Sequence, residues 1–127
     1  MLKSGLSGLL HRRILSAGIN SFKGLKDAVL HEESFRVEVI LSLILVPAAI
    51  FVAVDYLQLI LLILSVLLVL VVELLNTGIE IVVDRIGSEF HKLSGRAKDI
   101  GSAAVFLAMM AFILVWGGIL IVNYGPL

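Results

Sequence analysis

Several residue types and motifs that often signal a function are absent from the chain. The lack of cysteine excludes a disulfide framework, a thiol nucleophile and a thiolate metal site. No G-x-x-x-x-G-K-[ST] or G-x-G-x-x-G loop and no H-R-D or D-F-G set occurs, so any phosphate ligand would have to be held by other means. Ten Lys and Arg balance ten Asp and Glu, and without a basic excess the chain is not expected to bind nucleic acid.

Histidine is also sparse and scattered. His11, His31 and His91 form no H-E-x-x-H pair, which argues against a zinc hydrolase. We interpret His11 and His31 as residues of an interfacial helix and His91 as a loop residue.

What the chain has in excess is apolar residues. They make up 60% of its 127 residues, with a mean hydropathy of +1.11, whereas a soluble domain has about 45–50%. The first 15 residues are interrupted by Ser, Gly, His and Arg before an apolar stretch of signal-peptide length can form. The composition therefore predicts a membrane protein that keeps its N-terminus.

Three stretches are apolar enough to cross a bilayer, at about 37–54, 57–83 and 101–124. Asp55 closes the first, and the second outruns the membrane before Gly87 ends its helical pattern. The third carries no charged side chain, and Trp116 and Tyr124 are typical of anchoring near the far surface.

A different helix precedes the spans, at about 5–33. Phe22, Leu25, Val29 and Leu30 have the spacing of one apolar helical face, which predicts an amphipathic helix on the membrane surface. Gly18 and Gly24 leave two short pieces as an alternative to one continuous helix. The predicted fold is a single all-α membrane domain over residues 1–127, with one surface helix and three transmembrane helices.

The distribution of positive residues predicts the orientation. All ten Lys and Arg lie before the first span or between the second and third spans. The positive-inside rule therefore places the N-terminus and the 85–99 loop in the cytoplasm and the C-terminus outside.

The end of the second span carries polar residues on one helical face. Glu73, Asn76, Glu80 and Asp84 follow i, i+3, i+7, i+11 spacing. At 1.5 Å per residue, Glu73 lies roughly 24 Å along the helix from Leu57, near the inner edge of a hydrocarbon core about 30 Å thick. This face therefore extends from lipid into cytosol.

Two interpretations of this face remain open from the residues alone. Asn76 could link helices in a bundle, and Glu80 and Asp84 could be solvated residues. Glu73 is harder to explain in this way, because an ionisable group at that depth costs a few kcal/mol unless it is partnered. Carboxylates near the cytosolic face, with Lys98 and Arg13 nearby, would suit Mg²⁺ and phosphate oxygens.

The polar residues also carry a family resemblance. The segment VELLNTGIEIVVDRIGSEFHKLSGRAKDIGSAAV, residues 72–105, resembles the signature of the small integral-membrane prokaryotic diacylglycerol kinases. SFKGL at 21–25 and FRVE at 35–38 are similar to the N-terminal region of the same family. The core E-L-L-N-x-x-I-E-x-x-V-D with A-K-D downstream is specific, because residence in a bilayer does not require those polar residues.

The resemblance implies transfer of the γ-phosphoryl group of ATP to diacylglycerol in a bacterial inner membrane, giving phosphatidate. It further implies a homotrimer whose active sites are shared between neighbours. Glu73 would be the general base, Asn76 would support the catalytic face, and Glu32 and Glu80 would hold Mg²⁺. Nucleotide contacts would come from Arg13, Asn20, Glu32, Glu80, Glu89, His91, Lys98 and Asp99. Lipid contacts would come from Arg36, Glu38, Glu73 and Ser102.

Two other functions are weighed against this one. A sister group in the same family is similar in its E-L-L-N and A-K-D motifs but phosphorylates undecaprenol, although the loop DRIGSEFHKLSGRAKD favours the diacylglycerol branch. A small oligomeric ion or proton conductor would also place Glu73 in the membrane. A conductor would not need Glu32, Lys98 and Asp99 at one surface.

Overall fold

The computed structural model describes residues 2–126, with side chains for 5–126, as four α-helices joined by short connections. Their bounds are Leu2–His31 for α1, Glu33–Val52 for α2, Tyr56–Ile86 for α3 and Lys92–Tyr124 for α4. The all-helical fold predicted from the sequence is confirmed.

Three of these helices are long and apolar enough to cross a membrane, as predicted. They are α2, α3 and α4, with 20, 31 and 33 residues. The side chain of Asp55 caps α3 by accepting a hydrogen bond of 2.8 Å from the Gln58 backbone N–H. At the other end α3 stops before Gly87, whose backbone is extended. α3 is therefore long enough to continue beyond a bilayer core of about 30 Å.

The first helix is continuous. α1 runs through both Gly18 and Gly24 over 30 residues, so the alternative of two short pieces is wrong. A glycine inside a helix costs only about 1 kcal/mol relative to alanine, and the neighbouring leucine, lysine and alanine residues favour the helix.

The core of the bundle is built where α2, α3 and α4 meet. Ala49, Leu62, Val66 and Trp116 form a buried apolar cluster. Trp116 donates from Nε1 to Ser65 Oγ at 3.1 Å, and the Ser65 hydroxyl donates to the Leu62 carbonyl at 2.7 Å. The one polar atom of the indole is thereby paired inside the apolar region.

The end of the bundle near residues 52–58 is closed by side-chain amides. Gln58 Nε2 donates to Asn123 Oδ1 at 3.0 Å, and Asn123 Nδ2 donates to Gln58 Oε1 at 2.8 Å. Asn123 Nδ2 also donates to the Val52 carbonyl at 3.0 Å. These bonds connect the end of α2, the start of α3 and the end of α4, at the opposite end from Glu73.

Candidate active site

The predicted polar face of α3 is a single face with graded burial. Glu73 is 8% exposed and Asn76 is buried, while Glu80 is partly buried and Asp84 is exposed. Asn76 Nδ2 donates to Glu80 Oε1 at 3.3 Å, one turn further along the helix. The face thus runs from a buried carboxylate to an exposed one.

Glu32 lies at the one-residue break between α1 and α2. Its backbone is extended (φ −112°, ψ 110°), and within the described chain its carboxylate makes no capping hydrogen bond to α2. The helical pattern continues across the break, because Glu32 N–H donates to the Ala28 carbonyl at 2.9 Å and Arg36 N–H donates to the Glu32 carbonyl at 3.0 Å. The Glu32 backbone is therefore fixed by two hydrogen bonds, while its carboxylate is not used to cap α2.

Arg36 holds the same joint from the side. Its guanidinium donates to the carbonyl of Val29 at 2.9 Å and to that of Leu30 at 3.0 Å. These carbonyls lie in the last turn of α1, where a helix lacks intrahelical donors and favours a cation. The predicted lipid-contacting side chain therefore binds the end of α1 in this structure.

The structure brings four carboxylates into one cluster. Glu73 is within electrostatic range of Glu32, Glu38 and Glu80. Like charges at such range repel one another, and partial burial weakens screening by water. This carboxylate cluster, which comprises Glu32, Glu38, Glu73 and Glu80, would therefore attract a cation.

The donor atoms of the cluster are of the type that a hard divalent ion prefers, but water and a substrate would have to supply most of its ligands. In the part of the chain that the structure describes, no group of three or more His, Cys, Asp or Glu side chains is placed to hold a metal ion. Mg²⁺ commonly takes one or two carboxylates and fills its remaining positions with water and phosphate oxygens. Two carboxylates that could contribute in this way are Glu32 at the joint and Glu80 on α3, both within electrostatic range of Glu73.

Glu38 borders a partly open apolar cavity between α2, α3 and α4. Its Oε2 is buried and has no hydrogen-bond partner among the described residues, and its backbone carbonyl accepts a bond of 2.7 Å from Ser42 Oγ. The cavity has a volume of about 90 Å³. It is lined by Glu38, Leu41, Ser42, Leu45, Val66, Val69, Leu70, Met109 and Phe112. A carboxylate beside apolar walls can hold a polar group of a molecule whose remainder is apolar.

Lys98 is close to the same site but is already paired. Its Nζ donates to Asp84 Oδ1 at 2.7 Å. The residue precedes the uncharged part of α4, which begins at Ile100. The hydrogen bond and the charge of Asp84, with a smaller effect from Glu80, raise the pKa of Lys98 above its ordinary value of 10.5. Lys98 is therefore a cation at neutral pH.

Other predicted site residues are placed apart from the cluster. His91 caps α4, accepting from the Leu93 N–H at 3.1 Å, and Glu89 is an exposed residue of the α3–α4 loop. Arg13 lies about 27 Å along α1 from His31, so within one chain it is remote from the carboxylates. Three further predicted residues, all exposed, are Asn20 on α1 and Asp99 and Ser102 on α4.

Two features of the site were not predicted. The first is the Asp84–Lys98 pair, which joins α3 and α4 across the loop. The second is Gly101, a buried residue of α4 that faces the side chain of Asn76. The only sequence signal for Gly101 was a glycine at the start of an uncharged span, which is not specific for a site.

The helices and the carboxylate cluster define a helical membrane protein with an acidic site at one end of its bundle. The family model described as prokaryotic diacylglycerol kinase matches residues 19–120. The diacylglycerol kinase of Haemophilus influenzae is 50% identical over 114 residues, which cover 90% of this chain and 95% of that protein. The Escherichia coli K12 protein of that name is 49% identical over 113 residues, covering 89% and 93%, respectively. The Pseudomonas aeruginosa protein of the same name is 43% identical over 117 residues, covering 92% and 94%.

The chain belongs to the prokaryotic diacylglycerol kinase family. The matched segment contains the C-terminal part of α1, all of α2 and α3, and most of α4. The resemblance predicted from the segment 72–105 is thereby confirmed.

Proposed function

We propose that the chain transfers the γ-phosphoryl group of ATP to the free hydroxyl of diacylglycerol and so produces phosphatidate. The observation that carries this proposal is the buried Glu73, which lies in a carboxylate cluster just past the middle of the membrane-spanning helix α3. The relatives named above are diacylglycerol kinases, which favours a glycerolipid over a polyprenyl alcohol as the acceptor.

Glu73 acts as the general base in this proposal. A lipid hydroxyl lies near the headgroup region, which is the depth expected for Glu73 from its position along α3. The carboxylate takes the hydroxyl proton as the oxygen attacks the γ-phosphorus. The bond from that phosphorus to the bridging oxygen of ADP breaks, and ADP leaves with the bond electrons.

Glu32 and Glu80 would hold Mg²⁺. The ion, when bound, neutralises charge on the ATP phosphates. Asn76 supports Glu80 through the hydrogen bond from Nδ2, which orients the carboxylate. The two carboxylates come from different elements, so a change at the α1–α2 joint would alter the separation of the ligands.

Lys98 and Asp99 contact the nucleotide in this proposal. Lys98 binds a phosphate oxygen in this proposal, and it must exchange its bond to Asp84 for that contact. Arg13, Asn20, Glu89 and His91 would contribute further nucleotide contacts. Arg36, Glu38 and Ser102 remain proposed lipid contacts, with Glu38 bordering the apolar cavity.

The active form would be a homotrimer with sites shared between subunits. The remoteness of Arg13 from the carboxylate cluster of its own chain supports sharing, because a neighbouring subunit could present α1 instead. A second observation is an apolar groove of about 430 Å³ along α3 and α4. Its lining residues are Leu61, Leu64, Ser65, Leu67, Leu68, Val71, Ala111 and Val115.

The protein would lie in the bacterial inner membrane with α1 on the cytoplasmic surface. Both segments that contain Lys and Arg, the part before α2 and the residue 85–99 loop, would face the cytoplasm. The C-terminus would lie outside. Several apolar side chains of α1 are exposed, including Leu6, Ile14 and Phe22, and a membrane surface would cover them.

The deciding experiment measures transfer of labelled γ-phosphate from Mg·ATP, with purified protein in mixed micelles. Diacylglycerol and undecaprenol are supplied in parallel. Phosphatidate as the main product supports the proposal. Polyprenyl phosphate as the main product would support the same phosphoryl transfer but identify a polyprenyl alcohol as the acceptor. Failure to phosphorylate either lipid, by protein shown to be folded, would favour the conductor function.

A further inference from the structure

Gly101 occupies a position in α4 where a side chain has no room. An ideally placed Cβ at residue 101 would collide with Asn76 Oδ1 on α3, and it would lie 3.4 Å from Asn76 Cγ and 3.9 Å from Ile79 Cδ1. A methyl group there would displace the amide of Asn76, because α3 and α4 are packed along their length. The absence of a side chain at residue 101 therefore leaves room for the observed conformation of the Asn76 side chain.

The other half of the Asn76 amide is bonded to Glu80. Nδ2 donates to Glu80 Oε1 at 3.3 Å, while Oδ1 is buried and accepts no hydrogen bond from the residues that the structure describes. An amide turned by 180° would set its oxygen against the Glu80 carboxylate, and two acceptors would then face each other. The amide thus has one favourable orientation, with oxygen toward Gly101 and nitrogen toward Glu80.

We propose that Gly101 is a positioning residue: it leaves the space in which the Asn76 amide is oriented toward Glu80, and so fixes the carboxylate that serves the divalent ion. Only the last step rests on the proposed function. Gly101 on α4 contacts Asn76 on α3, and Asn76 in turn bonds to Glu80. These two contacts connect α4 to the site on α3.

A purely structural role for Gly101 makes a different prediction. If the glycine only lets two helices approach, alanine at 101 would lower the melting temperature. The Asn76–Glu80 bond and the metal affinity of the folded molecules would then remain unchanged. The positioning role predicts that both change.

The test compares Gly101→Ala with the matched control Gly78→Ala in the full-length protein in detergent micelles. Gly78 lies on α3 between Asn76 and Glu80, and a Cβ there would meet none of the described atoms within 4 Å. Both substitutions add one methyl group and replace glycine in a helix by the better helix former. They differ in whether the methyl group contacts Asn76.

The first measurement is the side-chain amide spectrum of protein labelled with ¹⁵N-asparagine. Asparagine occurs only at positions 20, 76 and 123, so the Asn76 signal can be assigned with the Asn76→Ala variant. We expect the Asn76 signal to shift in Gly101→Ala and to stay in place in Gly78→Ala. A wild-type Asn76 signal in Gly101→Ala would overturn the proposal.

The second measurement is Mn²⁺ binding in the presence of a non-hydrolysable ATP analogue, followed by electron paramagnetic resonance. Loss of a group that orients a metal ligand typically weakens metal affinity by 10–100-fold, and we expect at least roughly tenfold for Gly101→Ala. Gly78→Ala should bind as the wild type does. Unchanged affinity in Gly101→Ala would overturn the step from Asn76 to the metal site.

A double variant covers the case in which Gly101→Ala does not fold. Asn76→Ala removes the atoms that the new methyl group would strike, so Gly101→Ala/Asn76→Ala should fold and melt no lower than Asn76→Ala alone. A double variant that remains unfolded while Asn76→Ala folds would show a collision elsewhere and overturn the proposal. The amide spectrum and these melting temperatures do not require kinase activity, so they remain decisive even if the proposed function fails.

Discussion

Lys98 donates a hydrogen bond of 2.7 Å from Nζ to Oδ1 of Asp84, and this pair joins the start of α4 to the end of α3. The cation that we propose for ATP phosphate is therefore held by a protein carboxylate in this structure. The pair is exposed, with side-chain exposures of 45% and 68%, so a phosphate can reach it from solvent. Binding of nucleotide would replace one anionic partner of Lys98 by another.

The Asp84–Lys98 pair should give the folding stability a particular dependence on pH. Asp84 raises the pKa of Lys98 in the folded protein, so the stabilisation is complete below the unfolded-state pKa near 10.5 and is lost as pH rises through the higher folded-state value. We expect Asp84→Asn to melt lower than the wild type at pH 7–9, with the difference shrinking at higher pH. Thermal melts of both proteins measure this, with Glu33→Gln as the control. A difference that persists undiminished once lysine is deprotonated would contradict the assignment.

Glu73→Gln tests the general base. The amide keeps the shape of the buried side chain but cannot accept a proton, so we expect a folded protein whose kcat is about 10²–10⁴-fold lower. The control is Glu33→Gln, which makes the same change at an exposed residue in the first turn of α2. The measurements are phosphate transfer to diacylglycerol and the melting temperature. Turnover at the wild-type rate would exclude Glu73 as the base.

Glu80→Gln separates metal binding from base catalysis. It removes a charged ligand and also changes the group that Asn76 contacts, so we expect metal-dependent nucleotide binding to weaken roughly 10–100-fold. Glu73→Gln should keep most of that binding. Equilibrium binding of a labelled, non-hydrolysable ATP analogue at several Mg²⁺ concentrations compares the two variants. Equal losses of binding in both would contradict the separate roles.

Arg36→Ala tests whether this side chain secures the joint that carries Glu32. Its removal leaves the carbonyls of Val29 and Leu30 without the guanidinium, at a cost of about 1 kcal/mol for a cation at a helix C-terminus. We expect amide exchange in the last turn of α1 to be about fivefold faster, with Arg36→Lys intermediate. Arg12→Ala is the control, because the Arg12 side chain bonds only to Gly8 within α1 among the bonds described. Exchange at the wild-type rate in Arg36→Ala would show that the joint is held by its backbone alone.

The sequence sufficed for features that depend on local period or on composition. The common face of Glu73, Asn76 and Glu80 follows from 3.6 residues per turn, and the three spans follow from long uncharged stretches. The sequence did not decide whether α1 is continuous, because the free-energy cost of glycine in a helix must be compared with the contribution of the flanking residues.

Features that depend on how two helices meet were missed. The Asp84–Lys98 pair spans 14 positions and depends on the path of the α3–α4 loop. The contact between Gly101 and Asn76 depends on the distance between α3 and α4 at one level of the bundle. Neither distance is encoded in the period of a single helix, so only the three-dimensional structure could supply them.

The single-residue break at Glu32 also means that any tilt of α1 relative to α2 would pivot about the proposed metal ligand. A helix of 30 residues is about 45 Å long, so a tilt of about 10° at the break would move its far end by about 8 Å. Glu32 itself would hardly move. Arg13 and Asn20, which lie between the break and the far end of α1, would move by smaller distances. The nucleotide contacts proposed for α1 would then separate from the site while its carboxylates stayed in place.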